Sequence, residues 1–240
     1  MKKQGPQTPL IAIIGGTSLM SSTIFASWKT QQVNTTYGGV KVKINGNAIF
    51  LQRHGEPAVP PHKINHQANI EAIKNLRVDN IIAINSVGSL KTALKPGSFV
   101  VPDDFISIWH IETFFGNQMK FMVPEMDKKL GKSLYKLCKE IATNIRFGGA
   151  YIQTTGPRLE TKAEIRMLKG YGHIIGMTMA SEATLSMECG IPYASLCSID
   201  NYCNGIVKIP LTMEEMQKNI LKNIGIIEKV IKSLLEKGIP

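Results

Sequence analysis

The sequence predicts an α/β fold with a sheet that is at least partly parallel. Short apolar runs rich in β-branched residues, each bounded by glycine, proline or asparagine, alternate with longer stretches of helical periodicity. Runs of the first kind are typical of buried strands, and their alternation with helices is typical of a sheet with parallel strands. The chain has 240 residues, of which 43% are hydrophobic, and can bury one good core. We therefore expect one domain over residues 1–240, with residues 1–8 flexible.

The candidate strands share their apolar, β-branched composition. In chain order they cover residues 11–14, 40–44, 48–51, 80–84, 98–101, 149–152, 173–175 and 193–198. The candidate helices lie between these runs, and the last of them is amphipathic. They cover residues 66–75, 128–144, 162–169, 181–189 and 212–237. Residues 103–127 are the least regular stretch, and their aromatic residues, which include Trp109 and Phe121, either fold under the core or are covered by another subunit.

The composition excludes several classes of protein. The apolar run near the start breaks at Gly15 and Gly16, so it indicates a strand rather than a signal peptide, and no apolar run is long enough to span a membrane. The four cysteines do not form paired Cys-x-x-Cys ligands, which favours reduced cytosolic thiols over structural zinc. The net charge of +10 is spread along apparent helices and not gathered with aromatic residues. We expect a cytoplasmic protein that binds no metal, no membrane and no nucleic acid.

Polar side chains follow several of the candidate strands, where ligands of open α/β sheets gather. The groups concerned are Thr17 and Ser18 after a glycine pair, Arg53 and His54, residues 85–90, residues 156–161 with Glu160, residues 176–182 with Thr178, and residues 199–204 with Asn201. Residues 85–90 are expected to form a polar turn directly after a strand. Residues 176–182 are expected to lead into a helix whose first amides are free to meet an anion.

Each of these groups is ambiguous by itself. A glycine turn is commonly only a turn, and Arg53 with His54 fits a surface salt bridge and a loop histidine as well as a phosphate site. Together they contain hydroxyl, amide and arginine donors but no nucleophile–base pair and no metal-ligand cluster. The set indicates a site that holds an anion and a polar heterocycle without a covalent intermediate.

These residues resemble the trimeric branch of the purine nucleoside phosphorylase and 5′-methylthioadenosine phosphorylase family. The resemblance runs in register over about residues 11–205 and is carried by residues 15–18, 53–55, 61–69, 88–90, 96–97, 156–158, 163–164, 177–178 and 193–195. It implies a single nucleoside phosphorylase domain with a central mixed, largely parallel sheet flanked by helices. It also implies a homotrimer or a dimer of trimers with sites near the subunit interfaces, no cofactor, inorganic phosphate as co-substrate, and a role in purine salvage.

The resemblance further implies roles for single residues. The phosphate ligands would be Thr17, Arg53, His54 and Thr178, with the backbone at Asn85 and Ser86 beside them. Met177 would lie under the ribose, Ser86 would also contact the nucleoside, and Leu159 stands where the family usually places a phenylalanine against the base.

The substrate prediction depends on a few positions. Glu160 and Asn201 match the carboxylate and amide that 6-oxopurine phosphorylases present to the ring, and a carboxylate can accept from the N1–H of hypoxanthine. Asp200 stands where relatives have threonine and could meet the base instead of Asn201. Met213 aligns with the position near the 5′ group and favours a methylthio substituent. We therefore expect phosphorolysis of 5′-methylthioinosine; the alternatives are 5′-methylthioadenosine, inosine or guanosine as substrate, a hydrolase, or a nucleotide-binding module without chemistry.

Overall fold

A computed structural model describes residues 10–208 and 210–239. The expected flexibility of residues 1–8 lies outside the described residues. Within these two ranges the strands are β1 Ile11–Gly15, β2 Lys29–Thr35, β3 Gly38–Asn45, β4 Ala48–Gln52, β5 Asn80–Ser89, β6 Phe99–Val101, β7 Asp104–Ile106, β8 Ile145–Phe147, β9 Ala150–Gln153, β10 Ile174–Gly176 and β11 Tyr193–Tyr202. The helices are α1 His66–Asn75, α2 Lys128–Lys139, α3 Lys162–Leu168, α4 Met179–Glu188 and α5 Met213–Lys237. None of the helices in these two ranges is long and apolar enough to cross a membrane.

All of these strands belong to one mixed sheet. Its main path runs β2-β3-β4-β1-β5-β10-β9-β7, and β11 branches from β5 to continue through β6 to β8. Six strand pairings are parallel, including those of β1 with β4 and β5 and that of β11 with β5, whereas four are antiparallel. The predicted α/β fold with a mixed, largely parallel sheet flanked by helices is therefore confirmed.

The core lies on both faces of the sheet. Ala12 and Ile14 of β1 belong to a cluster that contains most of the buried apolar residues of α1 and α4, whereas Ile11 and Ile13 belong to a second cluster with those of α2 and α5. Successive side chains of a strand point to opposite faces, so a strand buried on both sides must be apolar throughout. This arrangement explains why β1 reads as an uninterrupted apolar run.

The structure adds strands that the sequence pattern did not predict. Most residues of β2 are exposed and polar, since it is the edge strand at one end of the sheet, and β7 and β8 contain only three residues each. The predicted turn at residues 85–90 is wrong, because β5 continues to Ser89. Likewise, β11 continues through the polar residues up to Tyr202. Their polar side chains find hydrogen-bond partners inside the sheet, as described below.

The arrangement of strands around β5 leaves an opening in the sheet. The β11 strand accompanies β5 from Ile81 to Ser89, but β1 pairs only with residues up to Ala83, and β10 joins only at Gly88. Residues 84–87 therefore pair with β11 alone. The candidate site lies at this opening.

Candidate active site

A cavity of about 160 Å³ lies where β1 and β10 separate along β5. Nine of the twelve residues predicted to form the site line it: Thr17, Arg53, His54, Ser86, Leu159, Glu160, Met177, Thr178 and Asn201. These residues come from strands β5 and β11 and from the segments that follow β1, β4, β9 and β10, so the fold brings together positions that are far apart in the chain. Among residues 10–208 and 210–239, no group of histidine, cysteine, aspartate and glutamate side chains is arranged to hold a metal ion.

Arg53 fills the opening beside β5. Its Nη1 donates to the carbonyl of Ile84 at 2.8 Å, and its Nη2 donates to the carbonyl of Ile14 at 3.4 Å. The Nε and Nη2 atoms also donate to the two carboxylate oxygens of Glu182, at 2.5 and 3.3 Å. Burial lowers the pKa of Arg53, but the adjacent Glu182 carboxylate more than offsets this, and the pKa lies above its usual value. The guanidinium is therefore charged, and of its five N–H groups one on Nη1 is left for a ligand.

The glycine pair at the end of β1 is explained by two close neighbours, Arg53 and Phe50. A Cβ atom on Gly16 would lie 2.0 Å from the Nη1 atom of Arg53, and one on Gly15 would lie 2.6 Å from the ring of Phe50. Any side chain at Gly16 would displace the guanidinium from the opening. The backbone of the pair therefore makes room for a side chain of the protein, whereas the sequence pattern suggested room for a ligand.

The imidazole ring of His54 is buried beside Arg53 and forms a hydrogen bond with a backbone carbonyl. Its Nδ1 lies 2.8 Å from the carbonyl of Val59, which can only accept, so Nδ1 is the donor. Burial lowers the pKa of His54, and the neighbouring Arg53 charge lowers it further. At neutral pH the ring is uncharged and its Nε2 is an acceptor, which suits a ligand oxygen that carries a proton.

The side chain of Asn85 orients the hydroxyl group of Thr178. The Nδ2 of Asn85 donates to Thr178 Oγ1 at 2.9 Å, and Asn85 Oδ1 accepts from Ser195 Oγ at 2.7 Å. Because the Thr178 oxygen already accepts from Asn85, its own proton can point to a ligand in the cavity. Asn85 itself does not line the cavity and lies behind this hydroxyl.

The helix start at α4 does not offer free amides, which corrects the sequence-based expectation. The backbone N–H groups of Thr178 and Met179 donate to Tyr151 Oη, and those of Ala180 and Ser181 donate to Gln153 Oε1. Tyr151 and Gln153 lie on β9, far from α4 in the sequence, and nothing in the local pattern marks them as helix caps. Anion binding at this end of the cavity therefore depends on side chains.

The other end of the cavity carries the carboxylate and the amide. Glu160 accepts a hydrogen bond from Thr154 Oγ1 to its Oε1 at 2.7 Å, which leaves Oε2 available to a ligand. Asn201 donates from Nδ2 to the carbonyl of Tyr202 at 2.9 Å. Leu159, which is 38% exposed, lies at the rim.

Two further predicted residues lie away from the cavity. The carboxylate of Asp200 is buried against Ser86, Ser198 and Asn223 and does not itself line the cavity. Met213 is the first residue of α5 and is 64% exposed, whereas Leu211 and Met216 line the cavity in its place. Met216 follows Met213 by three residues on one helix, so a shift of less than one turn separates the expected residue from the observed one.

The chain is similar to known proteins in both sequence and fold. The sequence model of the phosphorylase superfamily matches residues 10–236. A relative from Methanocaldococcus jannaschii named probable S-methyl-5′-thioinosine phosphorylase is 41% identical, over 95% of this chain and 93% of the relative. One from Archaeoglobus fulgidus named probable 6-oxopurine nucleoside phosphorylase is 34% identical, over 96% and 99%. The crystal structure of a methylthioadenosine phosphorylase from an antarctic soil metagenomic library superimposes with a TM-score of 0.81 at 28% identity, over 95% of this chain and 85% of that one. The chain belongs to the phosphorylase superfamily.

Proposed function

We propose that the protein is a purine nucleoside phosphorylase that uses inorganic phosphate to split the N-glycosidic bond of a 6-oxopurine nucleoside, with 5′-methylthioinosine as the substrate. The products are then hypoxanthine and 5-methylthioribose 1-phosphate. The observation that carries the proposal is one cavity with Arg53 and Thr178 at one end and Glu160 and Asn201 at the other. The names of the 41% and 34% identical relatives support the same reaction.

The reaction transfers the sugar from the base to phosphate. Phosphate binds through Thr17, Arg53, His54 and Thr178, which provide one positive charge, two hydroxyl groups and one neutral imidazole. As the bond between C1′ and the purine breaks, its electron pair moves into the purine, and a phosphate oxygen forms the new bond to C1′. Asn201 stabilises the negative charge at the base, whose N7 takes up the proton that phosphate loses. Positioning and electrostatic stabilisation therefore supply most of the rate acceleration.

Glu160 supports a preference for 6-oxopurines. Thr154 occupies its Oε1 atom, so Oε2 is the atom that can accept from a base N1–H. A 6-aminopurine has no N1–H, and its N1 lone pair would face the carboxylate. An unpaired buried polar group costs about 1 to 3 kcal/mol, which corresponds to roughly 10- to 100-fold discrimination.

The choice of sugar rests on the apolar residues at the start of the last helix. Leu211 and Met216 line the cavity and provide apolar contacts of the kind that a methylthio group makes. The second candidate substrate is 5′-methylthioadenosine, favoured by the structural likeness to a methylthioadenosine phosphorylase. Inosine or guanosine is the third.

The test is base release from 5′-methylthioinosine, inosine and 5′-methylthioadenosine, each with and without phosphate. We expect hypoxanthine to be released only with phosphate, and fastest from 5′-methylthioinosine. Release without phosphate would indicate a hydrolase. Preferential release of adenine would show that 5′-methylthioadenosine is the preferred substrate.

The matched variant in this assay is Glu160→Gln, which replaces the acceptor with an amide of the same shape. We expect kcat/KM for the 6-oxopurine nucleosides to fall about 10- to 100-fold and that for 5′-methylthioadenosine to fall less. An equal loss of kcat/KM for both kinds of nucleoside would show that Glu160 does not distinguish between the bases.

We further propose that the chain assembles as a homotrimer or a dimer of trimers through the stretch from residue 107 to residue 123. Six large apolar side chains there are between 47% and 93% exposed: Ile108, Trp109, Ile111, Met119, Phe121 and Val123. Trp109 also lines a second cavity that shares Pro61 and Met177 with the candidate site, so a neighbouring subunit at this surface would approach the substrate. Sedimentation is expected to give a multiple of three chains of 26.4 kDa; a monomer would contradict the assembly.

We propose a cytoplasmic location and no cofactor beyond the phosphate co-substrate. The cysteines support the first point, since none of the four forms a disulfide. Cell fractionation and activity of the purified, dialysed protein in phosphate buffer test the two statements.

A further inference from the structure

Strand β11 is irregular where it reaches the candidate site. Its pairing with β5 is continuous from Tyr193 to Ile199 and then shifts between Ile199 and Asn201, so Asp200 is the extra residue of a β-bulge. Bulges beside active sites re-aim the side chains around them. Here Asn201 lines the cavity, whereas the side chain of Asp200 lies behind the lining.

The Asp200 carboxylate is only 1% exposed and accepts hydrogen bonds at both oxygens. Ser86 Oγ donates to Oδ2, and Ser198 Oγ donates to Oδ1 at 2.7 Å. Asn223 Nδ2, from the buried face of α5, donates to Oδ1 at 3.0 Å and to Ser198 Oγ at 2.7 Å. Burial raises the pKa of Asp200, and the three hydrogen bonds oppose that rise. All three donors are neutral groups.

Ser86 is the only one of these partners that lines the cavity. A serine hydroxyl has one proton and two lone pairs. Since its proton is directed to Asp200, the Ser86 oxygen presents lone pairs to a ligand. We infer that Ser86 accepts a hydrogen bond from a hydroxyl of the substrate's sugar and that Asp200 is a positioning residue that sets this polarity.

The inference rests on the proposed function and assigns Ser86 to the sugar instead of to phosphate. Phosphate oxygens are mainly acceptors, so they would face the Ser86 lone pairs without a shared proton. The negative charges of phosphate and of the Asp200 carboxylate would also repel each other across one serine side chain. Sugar hydroxyls are neutral and can donate.

The test measures equilibrium binding by calorimetry, without turnover. Inosine, 2′-deoxyinosine and 3′-deoxyinosine are titrated into the phosphate-free protein, and inorganic phosphate is titrated separately. We expect inosine to bind about 10-fold more tightly than the deoxynucleoside that lacks the recognised hydroxyl. The Ser86→Ala variant is expected to lose this preference while it binds phosphate as the wild type does. Ser89→Ala is the matched control, because Ser89 is also on β5 but donates to the carbonyl of Lys91, and it is expected to keep the preference.

Asp200→Asn tests the positioning role. The asparagine oxygen would keep the donors Ser198 and Asn223, so its Nδ2 would donate to Ser86 and turn the serine proton towards the cavity. We expect this variant to lose the preference for the sugar hydroxyl and to bind phosphate several-fold more tightly, which a merely structural role of Asp200 would not produce.

Two results would overturn the inference: weaker phosphate binding by Ser86→Ala, or an unchanged sugar preference in that variant. Failure of the proposed function would be shown by a different result, namely no phosphate-dependent base release by the wild type. The binding preference and its loss can be read in either case.

Discussion

Replacing Glu182 with glutamine is expected to lower the free energy of unfolding by about 3 to 5 kcal/mol. Glu182 and Arg53 form an ion pair whose side chains are only 1% and 2% exposed. Neutralising the carboxylate would leave the guanidinium buried without a charged partner, and breaking a buried ion pair is far more costly than losing an ordinary hydrogen bond. Urea denaturation, with the oligomer concentration held constant, measures the loss.

Tyr193→Phe is the matched control for this variant. The Tyr193 hydroxyl donates to Glu182 Oε2 at 2.9 Å, so its removal takes one neutral donor from the same carboxylate and leaves the ion pair intact. We expect a loss of about 1 kcal/mol. Equal losses for the two variants would mean that the charge of Glu182 contributes nothing beyond its hydrogen bonds.

Asn201→Ala is expected to lower kcat for the best nucleoside about 100-fold with little effect on stability. In the proposed reaction the amide meets the purine, where negative charge develops as the glycosidic bond breaks, and loss of one such donor has effects of this size in other enzymes. Inside the protein its side chain makes a single hydrogen bond, to the carbonyl of Tyr202. Steady-state kinetics and a thermal melt separate the two effects.

Asn204→Ala provides the comparison on the same cavity wall. Asn204 lines the cavity, but its Nδ2 only approaches the carbonyl of Glu160, at 3.4 Å. We expect its kcat to stay within a few-fold of the wild-type value. Wild-type kcat in Asn201→Ala would exclude Asn201 from the mechanism.

The sequence predicted the parts of the fold that depend on local pattern. The helix predicted at residues 66–75 has the same bounds in the structure, and each predicted apolar run lies within or overlaps a strand. Burial on both faces makes such runs apolar throughout, which is a property of the residues themselves.

The missing parts depend on contacts between distant residues. The polar residues that extend β5 look like a turn, but Asn85 is hydrogen bonded to Ser195, and Ser86 to Asp200, both on β11. The α4 amides likewise look free until Tyr151 and Gln153 are placed beside them. The β11 partners of Asn85 and Ser86 lie more than 100 residues away from β5 in the chain, so no local sequence pattern contains this information.

The two ends of the cavity are formed by parts of the fold that differ in local stability. The candidate phosphate end, with Arg53 and the β5 opening, is attached to strands at the centre of the sheet, whereas Leu159, Glu160 and Leu211 lie in loops at the rim. Central strands open only with the whole domain, but surface loops tolerate exchange of residues at little cost to stability. We therefore expect substitutions of the rim residues to cost little stability, and substitutions at the proposed phosphate end to cost more.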